Sequence, residues 1–385
     1  MICKLSDIVN TANTGADAIK KAPILNEPTN LRCLRIGDVS QKRDFSMWGY
    51  TKTSKMDYER YKLHKGDSII ARTGNTIGVC TYIEDDIESV YNNGLIRLTA
   101  KKELARERFL FYLIRSTDCQ DYIQSIAYGT STQPNMKIKD FLNFDIIVPT
   151  LEIQDKIIAI IDKIEKKIQV NTEINNNLEQ QAQAIYQQMF IDNPTPDWIE
   201  GSLSDIANIT MGQSPSGSSY NEDRIGAIFF QGRAEFGFRF PTIRLYTTEP
   251  KRMAYANDIL MSVRAPVGDL NVAHNDCCIG RGLAAIHSKT NHQSFVLYTM
   301  FSLKKQLDVF NGEGTVFGSI NRNSLNDMPI LIPADEQIEK FELIVAPMDA
   351  AIRNNYDEIC CLQAVRDSLL PRLMSGELDV SNIDI

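Results

Sequence analysis

The stretch that decides the fold occurs twice: KLSDIVN, residues 4–10, returns as SLSDIAN, residues 202–208. Further on, FDIIVP at residues 144–149 matches MPILIP at residues 328–333. The offset between the copies drifts from 198 residues at the first pair to 184 at the second, which indicates one unit of roughly 190 residues present twice. The length of 385 residues agrees, because it exceeds the usual size of a single domain.

Each copy has the pattern of a mixed α/β globular domain followed by a long helix. Short apolar runs bounded by Gly, Asn and Pro, at residues 68–71, 94–98 and 259–263, predict strands. Apolar clusters at residues 109–114 and 295–298 predict helices instead. The predicted segments are a first domain at 1–150, a central long helix at 151–190, a second domain at 191–333, and a C-terminal long helix with a tail at 334–385.

Heptad spacing of apolar residues in both helical segments predicts a coiled-coil seam, and we expect the two helices to pair with each other. The predicted seam residues are Ile157, Ile164, Asn171, Leu178, Ile185, Ile338, Val345, Ile352, Asn355, Ile359 and Leu362. The asparagine within each seam is a device that can fix register and partner. Pro347 is expected to divide the second helix into a short and a long piece, because proline removes a helical hydrogen bond.

Composition excludes several classes of protein. The four histidines form no HExxH motif, the eight cysteines form no CxxC motif, and no GxGxxG loop or Asn-Pro-Pro-Tyr step is present. We therefore expect no catalytic residues, no metal and no cofactor. The N-terminus lacks the apolar core of a signal peptide and no run of about 18 apolar residues occurs, so a cytoplasmic protein without a membrane partner is expected.

The formal net charge of −8 argues against a simple DNA-binding protein, because phosphate neutralisation usually appears as excess Lys and Arg. The negative charge is concentrated in residues 334–385, which carry 4 basic and 11 acidic side chains. Residues 1–150 carry 21 basic and 18 acidic side chains, and residues 191–333 carry 12 and 14. Affinity for DNA would therefore come from local patches or from partner proteins.

The second helix ends in LLPRLMSGELDV, residues 369–380, and each domain opens with Leu-Ser-Asp-Ile and closes on a proline followed by Glu and Gln before a long helix. Through these motifs the sequence resembles the specificity subunit of type I restriction-modification systems, and the resemblance extends over essentially the whole chain. The resemblance implies two target-recognition domains separated by an antiparallel coiled coil, in a pseudo-two-fold internal repeat. It also implies that each domain recognises one half of a bipartite, asymmetric site in double-stranded DNA.

The implied protein partners are two methyltransferase subunits, which dock on the helices and domains, and restriction and translocase subunits. Two other interpretations stay open: a coiled-coil adaptor without DNA readout, and the specificity domain of a related restriction-methylation enzyme. An adaptor would not explain two related globular domains with arginine-bearing loops. Salt-dependent DNA binding separates these alternatives, because an adaptor would show none.

Candidate DNA contacts are basic and amide side chains in loop-like stretches, since these groups bond base edges and phosphates. Arg72 and Arg264 are preferred, because they follow matching strands and precede glycine-containing loops. For each arginine a solvated or ion-paired role is about equally expected. The candidates are Arg35, Lys42, Arg43, Arg72, Asn75, Gln133, Asn135 and Lys137 in the first domain, and Gln231, Arg233, Arg239, Arg244, Arg264, Arg281 and Arg322 in the second.

Overall fold

The computed structural model describes residues 2–128, 134–312 and 318–383. The chain forms two compact units: the first combines Met1–Val170 with Glu358–Ile385, and the second is Asn171–Asp357. The boundary between the units runs through both long helices. Each unit therefore contains one globular part together with a portion of each long helix.

The first unit contains three antiparallel or mixed sheets and several short helices. Its largest sheet has the order Val9–Thr14, Leu95–Ala100, Ser68–Ala71, Cys80–Tyr82. The other strands are Gly49–Tyr50, Arg32–Leu34 and Ser89–Tyr91 in one sheet, and Ile2–Lys4 with Asp145–Ile147 in the third. Its short helices are Leu5–Ile8, Ile36–Ser40, Phe45–Met47, Lys55–Tyr61, Glu107–Arg115, Thr117–Ala127 and Ile138–Phe141.

The second unit repeats this plan. Its four-stranded sheet has the order Ala207–Met211, Leu283–Ser288, Ile259–Ser262, Leu270–Val272. The other strands are Tyr220–Asn221, Leu245–Thr247, Ala227–Phe230, Cys277–Ile279 and Met253–Ala254 in a five-stranded sheet, and Ile199–Ser202 with Pro329–Ile332. Its short helices are Leu203–Ile206, Gly217–Ser219, Arg233–Glu235, Gln293–Ser302, Lys304–Asp308, Val309–Asn311 and Arg322–Asn326.

The repeat extends to individual hydrogen bonds. The Leu5 amide donates to the Phe144 carbonyl at 2.8 Å, and the Leu203 amide donates to the Met328 carbonyl at 2.9 Å. In each unit an aspartate, Asp67 or Asp258, accepts from the backbone three residues earlier at 2.8 Å. The predictions of a mixed α/β fold, of repeated domains and of a strand at 68–71 are confirmed, and the strand predicted at 259–263 is observed at Ile259–Ser262.

The first long helix is Leu151–Tyr186, followed by a π-helical turn at Gln187–Ile191. The second is one continuous helix, Asp335–Met374. The prediction that Pro347 divides the second helix is therefore wrong. Pro347 is exposed and removes only one hydrogen-bond donor from this helix of 40 residues, so the flanking turns continue through it.

The long helices contribute to the core of each unit. In the first unit Ile157 and Ile161 are buried in one cluster with Leu110 and Leu373, and in the second unit Tyr186 is buried with Phe341. Of the predicted seam residues, Ile157, Asn171, Ile338, Val345 and Ile352 are buried, whereas Ile164, Leu178, Ile185, Asn355, Ile359 and Leu362 are half-buried.

Polar contacts join the two helices within each unit. In the first unit Arg366 Nη1 lies 3.2 Å from Glu165 Oε1, and Lys167 Nζ lies 3.2 Å from Glu358 Oε2. In the second unit Asn355 Nδ2 donates to Asn175 Oδ1 at 2.9 Å. The asparagine bonded to Asn355 is therefore one helical turn beyond the seam residue Asn171.

Candidate nucleic-acid interface

The loops after the central strand of each four-stranded sheet hold the preferred candidates. In the first unit the Arg72 amide donates to the Gly94 carbonyl at 2.9 Å, and the Arg72 carbonyl accepts from Met136 at 2.8 Å. In the second unit Val263 makes the equivalent bonds, to Gly282 at 3.0 Å and from Ile320 at 3.1 Å. These bonds set the register between the two copies.

This register corrects the expected match between Arg72 and Arg264. Val263 holds the position of Arg72, and Arg264 holds the position of Thr73. The isolated bridges agree, because Thr73 pairs with Asn135 and Arg264 pairs with Ser319. The two arginines are thus one position apart in the repeat.

The second unit presents a cleft lined by basic and amide side chains. The cleft has a volume of about 390 Å³ and adjoins a second concavity of about 530 Å³, and Arg264 and Arg281 line both. Both arginines are exposed, and their side chains have no hydrogen-bond or ion-pair partner among the residues that the structure describes. The candidates Gln231, Arg233 and Arg244 line the first cleft as well.

Two of these cleft arginines are neutralised by carboxylates. Arg233 Nη1 lies 2.6 Å from Asp269 Oδ2, and Arg244 Nη2 lies 2.8 Å from Glu235 Oε1. The hydrogen bond from Arg244 to Glu235 raises the pKa of Arg244 above its ordinary value. Arg264 and Arg281 are therefore the cations of this cleft that remain available to an anionic or acceptor-rich ligand.

The corresponding loops of the first unit are richer in amides. Arg72 is half-buried, and its Nη2 donates to Asn135 Oδ1 at 3.1 Å. Asn75 and Lys137 are exposed next to this pair in sequence. Gln133 lies outside the described residues.

The remaining candidates do not line the cleft or the concavity next to it. Arg35 donates to the carbonyls of Cys33 and Ala22, and Arg43 pairs with Asp38 at 3.3 Å. Lys42, which has a φ of +49°, and Arg322, the first residue of a short helix, are both exposed.

Arg239 requires a correction, because its side chain is only 4% exposed. It lies 3.1 Å from Glu179 of the first long helix and 3.3 Å from Asp349 of the second, and it donates to Tyr298 at 3.1 Å. Burial raises the pKa of Glu179, although Arg239 opposes that shift. Arg239 therefore joins the second domain to both helices inside the unit, and we exclude it from the DNA-contact surface.

Asn93 is a candidate that the sequence analysis missed. It is exposed between Asn92 and Gly94, and its side chain has no hydrogen-bond partner within the described part of the chain. The Leu95 amide donates to the Asn92 carbonyl at 3.1 Å, just as Leu283 donates to Gly280 at 2.9 Å. Asn93 therefore occupies the position of Arg281, and the shared Gly-Leu step in NNGL and GRGL is the signal that identifies it.

Two buried cysteines, Cys33 and Cys277, have the properties of unreactive thiols. Burial raises the pKa of Cys33 to about 11 and that of Cys277 to about 12, so both stay protonated near neutral pH. Across residues 2–128, 134–312 and 318–383, no group of three His, Cys, Asp or Glu side chains has an arrangement that could hold a metal ion. In the same ranges no helix is long and apolar enough to cross a membrane.

Two copies of one α/β domain, each followed by a long helix and each with an equivalent loop cluster, define a two-domain protein with an internal repeat. A family model described as the type I restriction modification DNA specificity domain matches residues 1–180 and, again, residues 196–355. The chain belongs to this family. Family membership implies DNA and methyltransferase partners within a larger complex.

Named relatives agree with this assignment. The chain is 28% identical to the putative type I restriction enzyme MjaX specificity subunit of Methanocaldococcus jannaschii, over 98% of this chain and 93% of the relative. It is 22% identical to the type I restriction enzyme HindI specificity subunit of Haemophilus influenzae, over 82% and 87%. Specificity subunits of type I systems are non-catalytic, and this chain is one of them.

A solved structure shares the fold. The type I restriction-modification S subunit from M. genitalium superposes with a TM-score of 0.58 at 14% identity, covering 99% of this chain and 96% of that one.

Proposed function

We propose that this chain recognises DNA for a type I restriction-modification complex, with each globular part recognising one half of a bipartite, asymmetric site. The observation that carries the proposal is the equivalence of the two loop clusters. The equivalent edge of the four-stranded sheet in each unit bears exposed side chains that have no partner among the described residues: Arg264 and Arg281 in one unit, Asn93 in the other. Repeated domains with matching surfaces suit a ligand that offers two separate but chemically similar segments, as a duplex does.

The chemistry of these side chains suits nucleic acid. Guanidinium groups bond phosphate oxygens and the acceptor edge of guanine, and carboxamides bond both donors and acceptors of bases. The cleft of about 390 Å³ gathers several such groups, while carboxylates neutralise Arg233 and Arg244. The uncompensated positive charge is therefore small and local.

The weak local charge supports a role for partner proteins in affinity. The full chain carries a formal net charge of −8, so long-range attraction to the phosphate backbone would be poor. We propose that two methyltransferase subunits supply much of the non-specific affinity and that restriction and translocase subunits join the assembled complex. This chain then supplies sequence discrimination.

We further propose that the two long helices form an antiparallel coiled coil, on which the methyltransferase subunits dock. Contacts within each unit support this. In the first unit Lys167 approaches Glu358 while Glu165 approaches Arg366, so the residue numbers run in opposite directions. In the second unit Asn175 contacts Asn355 while Tyr186 packs against Phe341, with ring centroids 5.6 Å apart.

Binding of duplex DNA at several salt concentrations tests the proposal. The chain is measured alone and after co-expression with its methyltransferase, and fluorescence anisotropy of a labelled duplex reports the dissociation constant. We expect specific binding by the complex that weakens as salt rises. Binding releases cations from the DNA surface, and a higher salt concentration makes that release less favourable. An adaptor without DNA readout would add no sequence preference to the methyltransferase, and that result would refute the proposal.

The matched control compares two pairs of arginines. The variant Arg264→Ala/Arg281→Ala should weaken specific binding. The variant Arg60→Ala/Arg106→Ala removes the same charge from exposed arginines that lie outside the cleft and outside the two long helices, and it should bind as the wild type does.

A further inference from the structure

We propose that two equivalent loop positions determine sequence specificity, and that their side chains differ so that the two half-sites differ. The positions are held by Arg264 and Arg281 in the second unit and by Thr73 and Asn93 in the first. The second unit then recognises a half-site that contains guanine, and the first recognises one in which Asn93 contacts adenine. This inference rests on the proposed function.

Availability separates these positions from the candidates whose side chains are already paired. Arg35 donates to two backbone carbonyls, and Arg72 donates to Asn135. Arg233 and Arg244 are ion-paired with carboxylates. A side chain with a satisfied partner must give up that interaction to contact a base, whereas Arg264, Arg281 and Asn93 have none to give up within the described ranges.

The backbone beneath Arg281 is closely supported. A Cβ atom added at Gly280 would lie 2.9 Å from the Gln231 Cα, and one at Gly282 would lie 2.8 Å from the Gln231 carbonyl oxygen. The Arg281 amide also donates to Ser214 Oγ at 3.2 Å. The two adjoining segments at Gln231 and Ser214 therefore hold the backbone of Arg281, which lowers the backbone entropy lost when its side chain binds.

The equivalent loop in the first unit is supported in a similar way. A Cβ atom added at Gly94 would lie 2.5 Å from Ile36 Cδ1. The Asn93 amide donates to the Ala16 carbonyl at 2.8 Å. Asn93 therefore also extends from an ordered backbone.

The chemistry of these side chains gives the base assignments. The arginine fork donates two hydrogen bonds to O6 and N7 of guanine in the major groove, and asparagine bonds both N6 and N7 of adenine. A threonine hydroxyl bonds several base edges, so Thr73 contributes less discrimination. Replacing a single bidentate contact lowers the preference for its base by roughly 5- to 160-fold, which corresponds to the usual range for such a pair.

The test selects preferred sequences from a duplex library with a fully randomised core, bound by the complex of this chain with its methyltransferase. Wild type should select one half-site containing guanine and another containing adenine. Arg281→Ala should lose preference at one guanine position in one half-site, and Asn93→Ala should lose preference at one adenine position in the other. Arg106→Ala, which removes an arginine from an exposed ion pair with Asp155 outside the cleft, should select the wild-type sequence.

Three results would overturn the inference. Uniformly weaker binding by Arg281→Ala with an unchanged selected sequence would identify a phosphate contact instead. A loss of preference in the same half-site for Arg281→Ala and Asn93→Ala would also overturn it, as would a wild-type motif without guanine. In the first and third cases sequence-selective binding persists, so the proposed function survives. The second case would also contradict the proposal that each globular part recognises its own half-site. If the complex selects no sequence at all, both fail. Circular dichroism of each exposed-site variant checks that it is folded.

Discussion

Replacing Arg239 by methionine should destabilise the second unit more than any other single arginine substitution discussed above. The side chain is 4% exposed and lies within 3.3 Å of carboxylates from both long helices. Methionine retains much of the volume and the flexibility, so the main change is the loss of charge and of hydrogen bonds. Glu179 and Asp349 would then carry negative charge near each other without a cation.

The magnitude follows from the burial of this network. Removing one partner of a buried ion pair typically costs about 3–5 kcal/mol, because an uncompensated charge is left behind. For a unit of this size each kcal/mol lowers the midpoint of thermal unfolding by roughly 2–4 °C, so a decrease of about 6–20 °C is expected. Neutralising the acids as well, in Arg239→Met/Glu179→Gln/Asp349→Asn, should recover part of the loss.

Urea unfolding monitored by circular dichroism measures the free energy of unfolding of each variant. Arg106→Met is the matched control, because Arg106 and Asp155 are 43% and 52% exposed and such pairs contribute about 0–1 kcal/mol. An Arg239→Met variant as stable as the Arg106→Met control would refute the view that this arginine stabilises the unit. Failure of the triple variant to recover any stability would show that packing, and not charge, is responsible.

Three further substitutions test other parts of the structure. Burial alone would raise the pKa of Glu165, but its two arginine partners outweigh burial and hold that pKa below its ordinary value. Glu165→Gln should therefore lose about 1–3 kcal/mol of stability at pH 7. The difference from the wild type should disappear as the pH falls through the lowered pKa and Glu165 becomes protonated. Urea unfolding across this pH range measures the difference, and a constant difference would contradict the ion-pair explanation. Asn355→Leu should cost about 1–3 kcal/mol by leaving a buried Asn175 oxygen without its donor, whereas leucine at both positions should be nearly neutral. A double-mutant cycle decides this, and additive losses would count against a coupled pair. Gly282→Ala should weaken specific DNA binding, since its Cβ would lie 2.8 Å from a carbonyl oxygen, while Gly217→Ala has open space and should bind normally.

The repeat allowed much of the fold to be predicted. Copies of the Leu-Ser-Asp-Ile stretch form matching short helices that lead into the first strand of each four-stranded sheet, since the apolar pattern and the turn residues recur in the same order. The long helices were predictable from heptad spacing, because helix periodicity is local. The prediction from Pro347 was wrong, because the loss of one backbone hydrogen-bond donor at an exposed position does not end a helix of 40 residues.

The site was harder to predict from the sequence. Arg72 and Arg264 share a residue type, and only backbone hydrogen bonds show that they are one position apart. Arg239 was expected on the surface because arginine is rarely buried without a partner, and its partners lie far along the chain at Glu179 and Asp349. Asn93 was missed, although amides were among the candidates, because only the Gly-Leu step that NNGL shares with GRGL marks its position.

Exchange of one domain tests the central claim most directly. Residues 191–333 are replaced by the corresponding domain of a relative whose methylated sequence has been determined, choosing a relative with an arginine at the position of Arg239. The chimera and the wild type are each co-expressed with the methyltransferase, and sequencing that detects methylated bases maps their sites across the host DNA. Because each domain is proposed to recognise its half-site separately, one half of the motif should become that of the relative and the other should stay unchanged. A motif altered in both halves, or in neither, by a folded and active chimera would contradict the account.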